Sequence, residues 1–515
     1  MTLAEAARPG RMAGRRWITA ASGGLLLAVV SVAITGLSPS NALLATFAVV
    51  VSAGLFVAPG LSIGILAVFL LLQQFLTNVV GGPDTDIGRV VHQLDKYILV
   101  AGVVRVTLAL MASRPHDPIR RWTAWTAAFC AIGLLSGLVH AVPLRTLFLG
   151  AFLGVKFPLF VLIGLAIPWK PDDAERIVRW VIRLGPLLLA SGILLLLAPD
   201  GIRALFTDPA AASEDFFRRG GVESMRGIFT HPGTFGWAMS LVACYAFASV
   251  LQRRKAGAVT GLVAGIIGIL WSLRRKPLVA LPLAVLSGIV TLRTRRQRAG
   301  VVVALVVVGT AGWLVGRHQL AIVSQATAAE YLNPDAESDL PRLVLYGVGW
   351  RVATASFPLG AGFGRFGSYA SVLDYSPLYD QYGLSSLFGF SPDDPRYVTD
   401  AYWPSVVGET GFLGAAVCMG FIVALWFGLR RAARMSAAAE SNRLLAQAAG
   451  FALVEVLVES VAGPLFATSL TAFAVAVPIG VSLRLASPLP EEPQPSGPGE
   501  ATPRAAPRQD PPPLH

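Results

Sequence analysis

The sequence predicts an all-α polytopic membrane protein of about 14 transmembrane helices (12–14), and three observations carry that prediction. Hydrophobic residues fill 54% of the 515 positions and charged residues only 14%, a balance far too apolar for a soluble domain. Apolar runs of roughly 16 to 23 residues recur along the chain, about the length that crosses a hydrocarbon core. Backbone in lipid must satisfy its own hydrogen bonds, so such runs read as helices. Finally, Lys and Arg gather in short segments between the runs. The net charge of +12 therefore reads as basic cytoplasmic loops rather than as a nucleic-acid surface, and no nucleic-acid partner is expected.

The runs place spans at 17–37, 42–58, 61–80, 97–112, 122–140, 146–168, 177–198, 233–250, 256–271, 277–292, 299–315, 403–428, 447–464 and 467–486. Residues 1–16 carry Arg8, Arg11, Arg15 and Arg16 and set the N-terminus inside. The run at 18–37 is long enough to span and lacks an A-x-A site, so no cleavage is expected. Alternation then puts Arg114, Arg120 and Arg121 inside, followed by Lys170 and Arg176, Arg253 to Lys255, Arg293 to Arg298, and Arg430 to Arg434. Both termini are thus expected in the cytoplasm, with 17–486 as the transmembrane domain and the Pro-rich tail 487–515 disordered. Cys130, Cys244 and Cys418 fall within spans and read as buried thiols, with no disulfide framework and no metal set.

Two longer segments face outward: 200–232 and one large extracytoplasmic loop, 316–400. The short turn "SLRRKP" (272–277) faces the same way, which works against the charge rule and singles out Arg274, Arg275 and Lys276. These cations either anchor the turn at the interface or meet the phosphates of a lipid-linked substrate. Pro277 suits the first turn of the next helix. In "RRGGVESMRGIFTHPG", Arg218, Arg219 and Arg226 either bind lipid headgroups or pair with an anionic ligand, whose phosphate oxygens match the guanidinium fork. His231 follows in the same loop.

Lys156 lies near the middle of 146–168, too deep to snorkel easily, and reads as functional or as half of an ion pair. In the large loop, Leu343, Leu345, Val348 and Val352 have helical spacing, as expected of an amphipathic helix on the membrane surface. "GFGRFG" (362–367) matches G-x-G-x-x-G formally, but no βαβ unit surrounds it, so it reads as flexible backbone beside a substrate groove. "VTDAYWPSVVGETG" puts Asp400 at the outer mouth of the next span and Glu409 a turn or two inside. A carboxylate there would act as general base on a sugar hydroxyl, or Asp400 would simply cap the helix.

Taken in order, "RGIFTHPGTFG", "SLRRK", "PRLVLYGVGW…SFPLGAGFGRFG" and "DAYWPSVVGETGFLGA" resemble the O-antigen ligase/O-antigen polymerase family of bacterial surface-glycan enzymes, over about residues 215–425. The resemblance implies a type C glycosyltransferase-related fold in the bacterial cytoplasmic (inner) membrane, with an extracytoplasmic active site. It implies a metal-independent transferase without cofactors. The donor is a polyprenyl-diphosphate-linked glycan and the acceptor a glycan or lipid; membrane lipids, a flippase and a chain-length regulator are the further partners. The family's functional arginines align with Arg226, with Arg275 (neighbour Arg274) and with Arg342. Arg226, Arg274, Arg275 and Lys276 would hold the diphosphate, Asp400 and Arg342 would be catalytic, and His231, Glu409 and Lys156 would support them. Ligases of the family carry His then Asn where this chain has Asp400 and Ala401, which favours polymerase over ligase. The alternative is a lipid-linked oligosaccharide flippase. It should show related halves, whereas no strong internal repeat is visible and charge gathers in the outward loops.

Overall fold

The computed structural model describes residues 54–435 and 439–487, less 56, 81, 83–84, 116, 207–216, 220–221, 253–256 and most of 290–340. The expected spans 17–37 and 299–315, most of 42–58, both terminal segments and the first part of the large loop lie outside the described residues.

The described chain is helical almost throughout. In order it forms α1 (Pro59–Val79), α2 (Asp86–Met111), α3 (Pro118–Val139), α4 (Leu144–Gly154), α5 (Lys156–Ala166), α6 (Pro171–Leu197) and α7 (Asp200–Ala204). A two-residue antiparallel ladder, β1 (Arg218–Arg219) with β2 (Val222–Glu223), precedes α8 (Pro232–Leu251), α9 (Ala258–Trp271) and α10 (Arg275–Ile289). Then come α11 (Pro341–Ala355), α12 (Tyr369–Leu373), α13 (Pro377–Gln381), α14 (Tyr402–Arg434), α15 (Glu440–Glu459) and α16 (Ser469–Leu485).

Among the described residues, six helices are long and apolar enough to cross a membrane: α1, α3, α6, α8, α14, and α15 with its 3-10 extension to Ala462. The α4–α5 pair makes a seventh if its 56° bend interrupts one span. The expectation of about fourteen is therefore met only in its coarser form, a polytopic all-α membrane protein. The expected spans 97–112, 256–271, 277–292 and 467–486 do fall on helices α2, α9, α10 and α16. Of these, α9 and α16 are apolar but have only 14 and 17 residues, so at 1.5 Å per residue they fall short of a full hydrocarbon core.

Helix α8 is the hub. Its most apolar stretch is 83% buried against 22–33% for α1, α3, α6 and α14, which leaves their outer faces for lipid. Around it pack α6, α9, α10 and α15. The other half of the bundle is built on α5 and α16, which cross where Gly164 meets Gly480. A Cβ on Gly480 would sit 2.3 Å from the Val161 carbonyl, so only glycine permits this approach. The expected single span 146–168 breaks at Val155. Pro158, in the first turn after the break, cannot supply the N–H that would continue α4.

The described end of the large loop, 341–401, carries its own small core of Leu345, Val348, Val352, Phe366, Tyr379 and Phe390. Helix α11 lies against α14 with Leu345, Val348 and Val352 buried, as their spacing predicts, but Leu343 is 62% exposed on the opposite side.

Candidate functional site

The "SLRRKP" turn is fixed by its first residue. Buried Ser272 donates through Oγ to the Ile269 carbonyl (2.7 Å) and accepts from the Arg274 N–H (3.3 Å), while Leu273 takes a positive φ of 51°. This reversal starts α10 at Arg275 and leaves Arg274, Arg275 and Lys276 half-buried at one end of the bundle. Lys276 Nζ donates to the Ala462 carbonyl in the turn after α15. Its charged neighbours are Arg342, Asp400, Glu459 and Arg274.

Arg342 and Asp400 reach that place from the large loop. Arg342, in the first turn of α11, pairs with Asp400 just ahead of α14, Nη2 to Oδ2 at 2.7 Å, both side chains a little over a quarter exposed. One turn on, Tyr346 donates its hydroxyl to the Val461 carbonyl at 2.8 Å, and Trp403 Nε1 donates to Ser460 Oγ at 2.9 Å. The short turn 460–463 thus receives Lys276, Tyr346 and Trp403, and ties the "SLRRKP" turn to the α11–α14 junction.

Arg226 stands beside this group rather than within it. The Met225 N–H donates to the Trp271 carbonyl at 2.8 Å, which docks the 222–226 segment on the end of α9, just ahead of the basic turn. The Arg226 guanidinium is buried, 4.3 Å over the Phe217 ring, with Glu223 and Arg203 as its charged neighbours. Burial lowers its pKa, with Glu223 opposing that shift. Arg203 itself pairs with Glu223.

The three expected supporting residues are engaged elsewhere. His231 caps α8, its Nδ1 accepting from the Gly233 N–H at 2.7 Å. Glu409 is buried and accepts from Ser368 Oγ (2.6 Å) and the Phe366 N–H (3.2 Å), so it fastens the glycine loop. That loop is packed, not free. A Cβ on Gly362 would come within 2.4 Å of Gly137 Cα, and one on Gly364 within 2.6 Å of the Thr146 carbonyl. Gly411, at φ 63°, kinks α14, and the N–H groups of Ala361 and Gly362 donate to the Gly408 and Glu409 carbonyls beside the kink, each at 2.8 Å. The glycines therefore serve close packing, which replaces the reading of flexible backbone beside a groove.

Lys156 finds its partner in Asp95 of α2, Nζ to Oδ2 at 3.7 Å, and donates to Ser469 Oγ at 2.9 Å. Ser469 in turn donates to Asp95 Oδ2. All three are buried where α4 breaks into α5.

Sequence reasoning did not single out Asp95, Ser469, Tyr346, Glu455 or Glu459. The last two were accessible to it, because Glu455 and Glu459 lie in an otherwise apolar span, where a carboxylate is costly and usually faces an interior. Glu455 is fully buried among Glu459, Ser240 and Trp237. Among the described residues, no three His, Cys, Asp or Glu side chains gather as a metal would require.

What converges is a cluster of cations, Arg274, Lys276 and Arg342, with Asp400 and Glu459 against them, Arg275 next to them in the chain and Arg226 on the neighbouring loop. The arrangement suits an anion with several oxygens, such as a phosphate or diphosphate. Neither a scan against protein-family models nor a search of curated proteins finds a match for this chain.

Proposed function

We propose that the chain transfers or polymerises a polyprenyl-diphosphate-linked oligosaccharide on the outer face of the bacterial cytoplasmic membrane, building a surface polysaccharide, and that it is a polymerase rather than a ligase. One observation carries the reading. The basic turn at 272–277 and the Arg342–Asp400 pair, far apart in sequence, meet around Lys276 at the end of the bundle. Alternation of Lys and Arg puts this end outside and both termini inside.

In this reading Arg274, Arg275 and Lys276 take the diphosphate oxygens, and Arg226 approaches from the neighbouring loop. Their task is largest late in the reaction, when the sugar–oxygen bond breaks and negative charge builds on the departing diphosphate. Cations already in place cost no reorganisation then, and losing one typically lowers turnover about 10²–10³-fold. Asp400 orients Arg342 through their ion pair. The test supplies lipid-linked repeat units to the purified protein, with and without a distinct acceptor, and sizes the products. Chain growth on repeat units alone marks a polymerase, and product only with the acceptor marks a ligase.

A further inference from the structure

A transferase of this kind must also remove a proton from the acceptor hydroxyl, and Asp400 has its Oδ2 turned to Arg342. A second polar group lies near the Arg226 loop. Thr230, four residues beyond Arg226, donates through Oγ1 to Gln74 Oε1 at 2.9 Å. The adjacent Gln73 donates through Nε2 to the Val91 and His92 carbonyls at 3.1 and 3.0 Å. These bonds hold the first turns of α2 against the end of α1 and beside the Arg226 loop, with His92 exposed there, ahead of the expected span 97–112.

One turn along α2 from His92 is Asp95, 6% exposed. Its Oδ2 accepts from Ser469 and faces Lys156, whereas its Oδ1 is buried and has no hydrogen-bond partner. Asp95 is thus a buried carboxylate with one oxygen anchored and the other unpartnered, a turn from His92 on the same helix and close enough to act on its charge. Lys156 and Ser469 keep that carboxylate in place, which gives the buried lysine a purpose.

We propose that His92 is the proton acceptor for the acceptor hydroxyl, with Asp95 as its positioning residue. This rests on the transferase reading above. The hydroxyl oxygen forms the new bond to the anomeric carbon. The bond from that carbon to the diphosphate oxygen breaks, and its electron pair leaves on the lipid diphosphate. The hydroxyl proton goes to a ring nitrogen of His92, and the imidazolium then returns it to external water.

Among the described residues, the charged groups facing His92 are Lys96 and Asp95 on α2 and Lys156 on α5; α1 presents no titratable side chain to it. Although its outer side is exposed, the imidazole is partly desolvated against the bundle, and this and the two lysines hold it below its ordinary 6.5, against the pull of Asp95, so it is neutral and able to accept a proton at pH 7.

The experiment measures chain extension by full-length His92→Gln and Asp95→Asn proteins across pH, alongside binding of the same lipid-linked donor. His92→Gln is expected to lower kcat about 100-fold or more with donor affinity unchanged, and to abolish the acid limb of the pH–rate profile. Asp95→Asn is expected to lower kcat less and to move that limb to lower pH, since the anion that favours imidazolium is gone. His92 is exposed, so its variant decides the matter even if Asp95→Asn unfolds. A His92→Gln protein that keeps kcat within about threefold of the parent, or keeps its acid limb, overturns the assignment while leaving the transferase reading intact. A parent protein that extends no chain overturns both.

Discussion

Replacing Glu409 by alanine is expected to loosen the 362–368 loop first and to affect turnover only through it. The carboxylate accepts from Ser368 Oγ at 2.6 Å and from the Phe366 N–H at 3.2 Å, and the backbone N–H groups of Gly364 and Arg365 also point to it. Of these donors the Phe366 N–H is fully buried and has no water to turn to, whereas Ser368 is partly exposed. A buried donor left unsatisfied costs about 1–3 kcal/mol, so the Phe366 N–H alone puts Glu409→Ala at about 1–3 kcal/mol. Both bonds end on the same oxygen, Oε1, so Glu409→Gln, which keeps one carbonyl oxygen, should lose much less than that. Denaturant unfolding in detergent, followed by tryptophan fluorescence, reads the stability; limited proteolysis reads the loop. Glu409→Ala should be cut between 356 and 401 well before global unfolding. A variant as stable as the parent, with a protease-resistant loop but no activity, would refute the structural role and return Glu409 to the chemistry.

Lys156→Met strands the Asp95 carboxylate in the bundle and should destabilise by about 3–5 kcal/mol, while Lys156→Met combined with Asp95→Asn recovers much of that loss in the same unfolding assay. Gly364→Ala forces a Cβ against the Thr146 carbonyl at a φ of 80°, and strain plus overpacking should cost about 2–5 kcal/mol in that assay. Arg342→Gln should behave in the opposite sense. Its ion pair is partly exposed, so unfolding shifts by no more than about 1 kcal/mol, yet chain extension should fall about 10²–10³-fold.

Helix positions were legible because apolar run length is a local property. The spans at 61–80, 122–140, 177–198, 233–250, 403–428 and 447–464 all fall on helices that pass the length and hydropathy test. The spacing of Leu345, Val348 and Val352 likewise announced α11 and its packed face. What escaped depends on contacts between distant parts of the chain. Lys156 was visible as an oddity, but Asp95 and Ser469 lie far from it in sequence and neither is unusual where it stands. The break at Val155 was hidden because one Pro in an apolar run does not by itself say whether a membrane helix bends. The glycine loop misled for a related reason. Close packing and flexibility both call for glycine, and only the neighbours at Gly137, Thr146 and Gly411 distinguish them. The charges of the basic turn were legible, but the group that gathers round Lys276 was not, because it takes the turn at 460–463 to bring them together.

The central claim is that the cations of the basic turn, with Arg226 beside them, grip the diphosphate of a lipid-linked glycan. The most direct measurement is chain extension and donor binding by Arg275→Ala and Arg226→Ala proteins, purified in membranes and given polyprenyl-diphosphate repeat units. Both variants should remain folded and inserted, bind the donor more weakly and make no long chains. Full chain extension by both variants would contradict the claim.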